Sequence, residues 1–277
     1  MNGRSGLAIE RVAETGSTNS DLLERARRAG GPGTGAFEPC VLVADRQRAG
    51  RGRHGRTWQA APGASLTFSM AWPFARADLS GLSLAVGAVL AESLDPADAG
   101  HRIGLKWPND LWLLDPGAGS DAPPGRKLGG VLIETAPWRT GRIAVVGVGL
   151  NVSPLSVDDA ASGFACWREI EPGATPDAAL ARVIEPLAEA LDVFGRDGFA
   201  PFAPRFAARD LLRGRPVVAT AANGPVEGVA SGVSALGELL LHGARGTVAI
   251  GSGEVRVRLA GGTGAAPAQR RPAGSTC

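Results

Sequence analysis

Two periods of apolar and polar positions run along this chain, and the places where one gives way to the other mark its elements. "STNSDLLERARRAG" (Ser17–Gly30) reads as a helix, with Thr18 as its cap, Asp21 three residues on, and Gly30 and Gly31 as its stop. "VLVAD" (Val41–Asp45) and "SLTFSMAW" (Ser65–Trp72) read as short buried strands. "LSGLSLAVGAVLAESL" (Leu79–Leu94) returns to helical spacing, with Gly81, Ala85 and Ala88 small enough for close packing. Three strand-like runs follow, "IGLKWP", "GGVLIETA" and "RIAVVGVGLNV". The first two are separated by "DPGAGSDAPPG" (Asp115–Gly125), which has no period and reads as a surface turn or hairpin extension. "TPDAALARVIEPLAEALDVF" is a second long helix, with Thr175 as cap, Pro176 at its first position, and Asp177 set against the helix dipole. Pro186 is expected to kink or break it. "FAPFAPRFAARD" is expected to form a short further helix.

From about Arg213 the pattern changes to short strands with glycine turns, and a β-barrel of about fifty residues is expected. The final stretch, "AGGTGAAPAQRRPAGSTC", has no apolar period and reads as a disordered tail. The expected divisions are therefore residues 1–210, 211–260 and 261–277, with no internal repeat.

Composition narrows the function classes. At 44% apolar and 20% charged residues, the 277-residue chain is ordinary globular protein with room for a sizeable core. The net charge of +2 gives no global basic field of the kind nucleic-acid binders carry. The basicity is local instead: Arg46, Arg48, Arg51, Arg53 and Arg56 crowd one segment. Cys40, Cys166 and Cys277 have no metal spacing, and their odd, unclustered count suggests a reducing compartment. No signal peptide or membrane span is legible, so a cytoplasmic protein is expected.

"GRGRHGRTW" (Gly50–Trp58) matches G-x-G-x-x-G, but no helix follows to hold a pyrophosphate and no G-K-[ST] ends it. Its glycines let backbone approach a ligand, and its arginines are forked donors for phosphate or carboxylate. Read alone, the segment is either a solvated basic turn or an anion grip. "KWPNDL" sets Lys106 at a strand end before a Pro108 turn closed by Asn109 and Asp110; read alone, it is a β-turn. "RKLGGVLIE" opens a strand with Arg126 and Lys127, and Gly129 and Gly130 either leave space for a ligand or mark a bulge. "GVGLNV" places alternate glycines on one face of a strand, a floor without side chains, with Asn151 at its end.

Taken in order, "STN", "Q-x-x-GRGRxGRxW", "KWPNDL", "RKLGGxLxE" and "GxGxN" closely resemble the motifs of the biotin protein ligases, over about Thr15–Leu259. The resemblance implies an α+β fold: a mixed, mostly antiparallel sheet flanked by helices, then a small SH3-like β-barrel. It implies ATP-dependent activation of biotin to biotinyl-5′-AMP and transfer to a lysine of a biotin carboxyl carrier protein of the acetyl-CoA carboxylase class, with ATP and Mg²⁺ as co-substrate and metal. Matched residue by residue, Ser17, Thr18, Asn19, Gln47, Arg51, Gly52, Arg53 and Lys127 are the implied biotin contacts. Arg51, Arg53, Arg56, Trp58, Asn109 and Asn151 are the implied ATP and adenylate contacts. Arg53, Lys106, Asp110 and Lys127 are the implied catalytic residues, with Asp110 orienting or deprotonating the acceptor lysine, or holding the metal through water.

Trp167 falls where the family closes a loop over adenine, although a lone Trp there is more often packing. Only 16 residues precede "STN", so a ligase-only form without the family's DNA-binding module is expected, as monomer or homodimer, without DNA or membrane partners. The departures are His54 in place of another basic residue, the Asp115–Gly125 insertion, and Pro186. Two other readings stand beside this one: a lipoyl or octanoyl protein ligase of the same fold, and a non-enzymatic Arg-rich nucleic-acid-binding module.

Overall fold

The computed structural model describes residues 7–29, 36–95, 101–115, 124–155, 163–221, 224–251 and 254–257. The seven strands of its main sheet are β1 (Ala8–Thr15), β2 (Cys40–Gln47), β3 (Ser65–Phe74), β4 (Ile103–Lys106), β5 (Asp110–Leu114), β6 (Gly125–Trp138) and β7 (Gly141–Asn151). They lie in the order β1-β2-β3-β7-β6-β5-β4. Only the β1–β2 pair is parallel. Strand β1 was not expected. "AIERVAET" is exposed along most of its length, as an edge strand is, so no apolar run announces it.

The sheet has two unlike faces, and β3 shows why. Leu66, Phe68, Met70 and Trp72 alternate with Ser65, Thr67 and Ser69. The apolar set is buried in a core with helices α2 (Leu82–Leu94) and α3 (Pro176–Asp197). Helix α2 is apolar on nearly every side and is buried accordingly. On the other face, helix α1 (Thr18–Ala29) covers one end of the sheet through Leu22, Leu23 and Ala26, which pack with Leu42, Ala71 and Val145. The polar residues of β3 and the glycines of β7 occupy the rest of that face, where Asn19 and Trp58 lie over them, and this part becomes the site.

Three local expectations are revised. Thr18 does not cap α1. It is the first helical residue and its own N–H goes to Gln47 Oε1 at 2.8 Å, while Ser17 Oγ accepts the Ser20 N–H at 3.4 Å. Pro186 does not break α3, which runs 22 residues. Its apolar face, from Leu180 to Phe194, is buried, and that packing outweighs one missing N–H. Helix α2 begins at Leu82 rather than Leu79. The cap expected for α3 is present, with Thr175 Oγ1 accepting the Ala178 N–H at 3.1 Å and Pro176 opening the helix. The short helix is present as α4 (Ala203–Ala207).

The expected C-terminal β module consists of β8 (Pro216–Ala221), β9 (Gly224–Val233), β10 (Leu239–Gly243), β11 (Gly246–Ile250) and β12 (Glu254–Val257), in the order β11-β10-β9-β8-β12. All its pairs are antiparallel, and among the described residues β11 and β12 do not pair, so the sheet is not closed. Where the chain enters this module, Arg209 lies buried against Asp95, and the backbone of β4 at Leu105 bonds to both Arg209 and Leu211. Most of the insertion (116–123) and the expected tail (261–277) lie outside the described residues. No helix among the described residues is long and apolar enough to cross a membrane.

Candidate active site

The polar part of this face has a floor made of backbone. A Cβ built on Gly147 would stand 2.2 Å from Asn19 Oδ1, and one on Gly149 would stand 2.4 Å from the Trp58 ring. Both side chains therefore rest on positions that only glycine can supply. Thr67 and Ser69 of β3 pair with these two glycines and point to the same side.

The "GRGRHGRTW" segment folds back on itself. The Trp58 N–H bonds to Gly50 O at 2.9 Å and the Gly52 N–H to Arg56 O at 2.7 Å, around a single 3-10 turn at Arg53–Gly55. His54 sits in the left-handed region at φ 54°. No helix follows, so no dinucleotide or Walker cradle is built here. Arg51 is half-exposed, and Arg56 is exposed beside the turn. Trp58 brings the far end of the loop down onto the floor.

Beneath the loop, α1 opens into a polar chain. Thr18 Oγ1 lies 2.7 Å from Ser69 Oγ and 3.2 Å from Gln47 Oε1. Ser69 Oγ donates to Asn19 Oδ1 at 2.7 Å, and Asn19 Nδ2 donates to Glu134 Oε2 at 3.0 Å. Glu134 also faces the loop, with Arg51 Nη1 3.2 Å from its Oε1. Ser17, Thr18, Asn19 and Ser69 are all buried, so the short helix-start motif "STN" is a fixed wall of the site.

The opposite rim is the β4–β5 hairpin with β6. Lys127 Nζ donates to Asp110 Oδ1 at 2.7 Å above Gly130, and Lys106 Nζ stands 4.8 Å over the Trp112 ring. The register of β5 on β6 shifts between Leu111 and Trp112, a bulge, and a Cβ on Gly129 would stand 2.6 Å from Gly149 O, so the neighbouring backbone takes the space there. Asn109 and Asn151 spend their amide donors on backbone. Asn109 Nδ2 reaches Val131 O at 2.7 Å; Asn151 Nδ2 reaches Ala165 O at 3.1 Å and Lys127 O at 3.4 Å.

Next to Lys127, Arg126 binds Asp115, Glu169 and the Phe164 carbonyl together. Its guanidinium is held even more firmly protonated by the two carboxylates, Asp115 first. For Glu169, burial raises the pKa, but hydrogen bonds from Arg126 and the Cys166 N–H outweigh it and the net shift is downward. Trp167, which falls where the family closes a loop over adenine, is fully buried and its Nε1 donates to Leu94 O at 3.0 Å, so it packs the core as a lone Trp there more often does.

The fold thus gathers Ser17, Thr18, Asn19, Gln47, Arg51 and Trp58 on one side of the glycine floor and Lys106, Asp110 and Lys127 on the other, with Gly52, Arg53 and Arg56 in the loop beside Trp58. Sequence reasoning gave no role to Ser69 or Glu134. The period-two polar positions of "SLTFSM" and the glutamate that ends "RKLGGVLIE" were the available signals. An apolar floor, a fixed set of hydroxyls and amides, and two banks of cations suit a ligand with a neutral polar head and an anionic end.

Comparison with known proteins places this geometry. The model for the biotin/lipoate A/B protein ligase family matches residues 35–151, and the model for the biotin protein ligase C-terminal domain matches residues 213–258. The bifunctional ligase/repressor BirA of Salmonella typhimurium is 35% identical over 234 residues, covering 82% of this chain and 67% of that protein. The biotin–[acetyl-CoA-carboxylase] ligase of Mycobacterium tuberculosis is 34% identical over 263 residues, covering 89% of this chain and 88% of that protein. Among solved structures, the Aquifex aeolicus biotin protein ligase in complex with biotin and ATP superposes with a TM-score of 0.72 at 27% identity, covering 91% of this chain and 99% of that one.

Proposed function

The chain belongs to the biotin protein ligase family, and from that premise we propose that it activates biotin with ATP and transfers it to a lysine of a biotin carboxyl carrier protein of the acetyl-CoA carboxylase class. One observation carries the reading: an arginine loop and a Lys127–Asp110 pair face each other across a glycine floor walled by "STN".

The first step sets a carboxylate against a triphosphate. Biotin's carboxylate oxygen attacks the α-phosphorus, the bond to the bridging oxygen breaks, and pyrophosphate leaves with that electron pair. Both reactants are anions, so fixed positive charge must stand where the new negative charge gathers. Lys127 and Arg53 are assigned that task. Arg51 and Arg56 steady the phosphate, and Gly52 lets the loop backbone approach. Ser17, Thr18, Asn19 and Gln47 present donors and acceptors to the ureido ring, and Trp58, seated on Gly149, is assigned to the adenylate. Asn109 and Asn151 act on the nucleotide side by fixing the backbone of Val131, Lys127 and Ala165.

In the second step the acceptor amine attacks the acyl carbon and AMP departs. Asp110 orients the incoming lysine and takes its proton; Lys106 steadies the departing phosphate. Mg²⁺ would arrive with the triphosphate, and Asp110 is the carboxylate that would hold it through water in place of its role toward the acceptor lysine. When bound, the metal neutralises phosphate charge. The catalytic domain is assigned to residues 1–210 and the β module to 211–260. The reaction is placed in the cytoplasm, in keeping with Cys40 and Cys166 as free thiols.

The test is biotin-dependent pyrophosphate release from Mg-ATP, with lipoate and octanoate as parallel acids. Release with biotin alone is expected. Release with lipoate or octanoate instead would keep the adenylation and change the substrate; no release from folded protein would sink the assignment.

The floor gives a second expectation. In Gly149→Ala the new methyl meets the Trp58 ring at 2.4 Å, so the indole must lift. Overpacking of this kind costs roughly 1–3 kcal/mol, or about five- to hundredfold in binding. KM for ATP is expected to rise by about that factor with a smaller change in kcat, and steady-state kinetics at saturating biotin check it.

A further inference from the structure

The glutamate that closes "RKLGGVLIE" has no part in the steps above, yet it touches both halves of the biotin wall. Glu134 lies on β6 facing α1, with its side chain 20% exposed. One carboxylate oxygen accepts the Asn19 Nδ2 donor at 3.0 Å, and the other lies 3.2 Å from Arg51 Nη1. Arg51 also donates to Ser20 Oγ at 3.3 Å. A carboxylate in a site meant for anions is unfavourable to the ligand unless something neutralises it. The cation that does so here belongs to the loop that must grip the substrate.

We propose that Glu134 is a positioning residue with two duties: it orients the Asn19 amide, and it parks Arg51 in the substrate-free enzyme until the anionic end of the ligand takes the guanidinium over. The first duty follows from the direction of the hydrogen bonds. Ser69 Oγ donates to Asn19 Oδ1, so the amide nitrogen faces β6, where Glu134 Oε2 at 3.0 Å is the nearer acceptor and Leu132 O at 3.4 Å the farther one. The second follows from exchange. Arg51 is 49% exposed and its carboxylate partner sits deeper, so the loop has a defined resting pose that a better-placed anion can break. Binding then swaps one ion pair for another, and the ordering cost of the loop is partly met beforehand.

Two substitutions separate the duties, and the inference rests on the biotin-ligase reading. Glu134→Gln keeps an oxygen for Asn19 and loses the ion pair. Glu134→Ala loses both. The arginines of the loop are trypsin sites, so tryptic cleavage within residues 48–56 reports the resting pose directly. In ligand-free Glu134→Gln, cleavage there is expected to rise about threefold or more, the scale of an exposed ion pair of several tenths of a kcal/mol. Its biotin affinity by calorimetry stays within about twofold of the parent, and its biotinyl-AMP escapes no faster, because no competitor for Arg51 remains. In Glu134→Ala, biotin is expected to bind about tenfold more weakly, as for a lost hydrogen bond to a charged group.

Melting curves confirm that both variants fold. Glu134→Asp, with the charge drawn back by one methylene, gives an intermediate cleavage rate and serves if either variant does not fold. Unchanged cleavage in Glu134→Gln, or parental biotin affinity in Glu134→Ala, overturns the inference. If the parent itself binds no biotin, it is the ligase reading that fails; if the parent binds biotin and the variants match it, only the role of Glu134 fails.

Discussion

Lys127→Met is expected to slow biotin-dependent pyrophosphate release by about 10²–10³-fold, the cost of removing one donor aimed at developing charge. The argument starts from position. Lys127 enters β6 at the bulge, where β5 pairs Trp112 with Lys127 but Leu111 with Gly129. That shift turns the ammonium over Gly130 and onto Asp110 at 2.7 Å. Its backbone is held by Asn151, by the Ala165 N–H, and on the neighbouring residue by the Arg126 clamp. The charge is therefore delivered by a fixed strand, and methionine keeps the aliphatic stem while removing only the charge. Folding should survive, since the pair is partly exposed.

A second measurement apportions the two steps. Supplied with preformed biotinyl-AMP, Lys127→Met should transfer biotin to the carrier far closer to the parental rate than it forms the adenylate, and Asp110→Asn should show the reverse. Equal losses in both half-reactions would show that the two residues act as one unit and that the division of labour is wrong.

The sequence displayed most of this site because the site is local. "STN" is one helix start, "GRGRHGRTW" one loop and "KWPND" one hairpin turn, so each motif is contiguous, and their order together carried the resemblance that none carries alone. What it did not display depends on pairing. Ser69 and Glu134 became visible only when β3, β7 and β6 were laid side by side and α1 was set across them. Asn109 and Asn151, implied as nucleotide contacts by the resemblance, also hold backbone carbonyls with their amide donors, which only the fold displays. Trp167 is core, as a lone Trp outside the motifs more often is. Strand β1 was missed because an edge strand exposed along most of its length has no apolar period to read. Pro186 was over-read because a local rule ignores the packing that holds a 22-residue helix.

The largest stability effect is expected far from the floor. Asp95 ends helix α2 with 1% of its side chain exposed, and one oxygen accepts three donors at 2.8 Å: the Arg102 and Ile103 N–H groups and Arg209 Nη1. Arg209 is 2% exposed and also donates to Ile103 O and Asp95 O. Arg209→Met leaves a buried carboxylate without its cation, which typically costs about 3–5 kcal/mol. At about 2–4 °C per kcal/mol, the main calorimetric transition should fall by roughly 10 °C. Asp95→Leu together with Arg209→Met should not restore it fully, because the Arg102 and Ile103 N–H groups would stay unpaired.

The damage should also reach catalysis below the transition. Strand β4 runs from this pair at Ile103 to Lys106, whose turn carries Asn109 and Asp110, and Trp107 Nε1 ties that turn to Gly237 of the C-terminal module at 3.0 Å. Loosening Arg209 frees the near end of a four-residue lever with Lys106 and Asp110, the proposed catalytic side chains, at its far end. A variant that melts within about 2 °C of the parent would mean that the pair's desolvation already cancels its attraction and that the hairpin is held by packing alone.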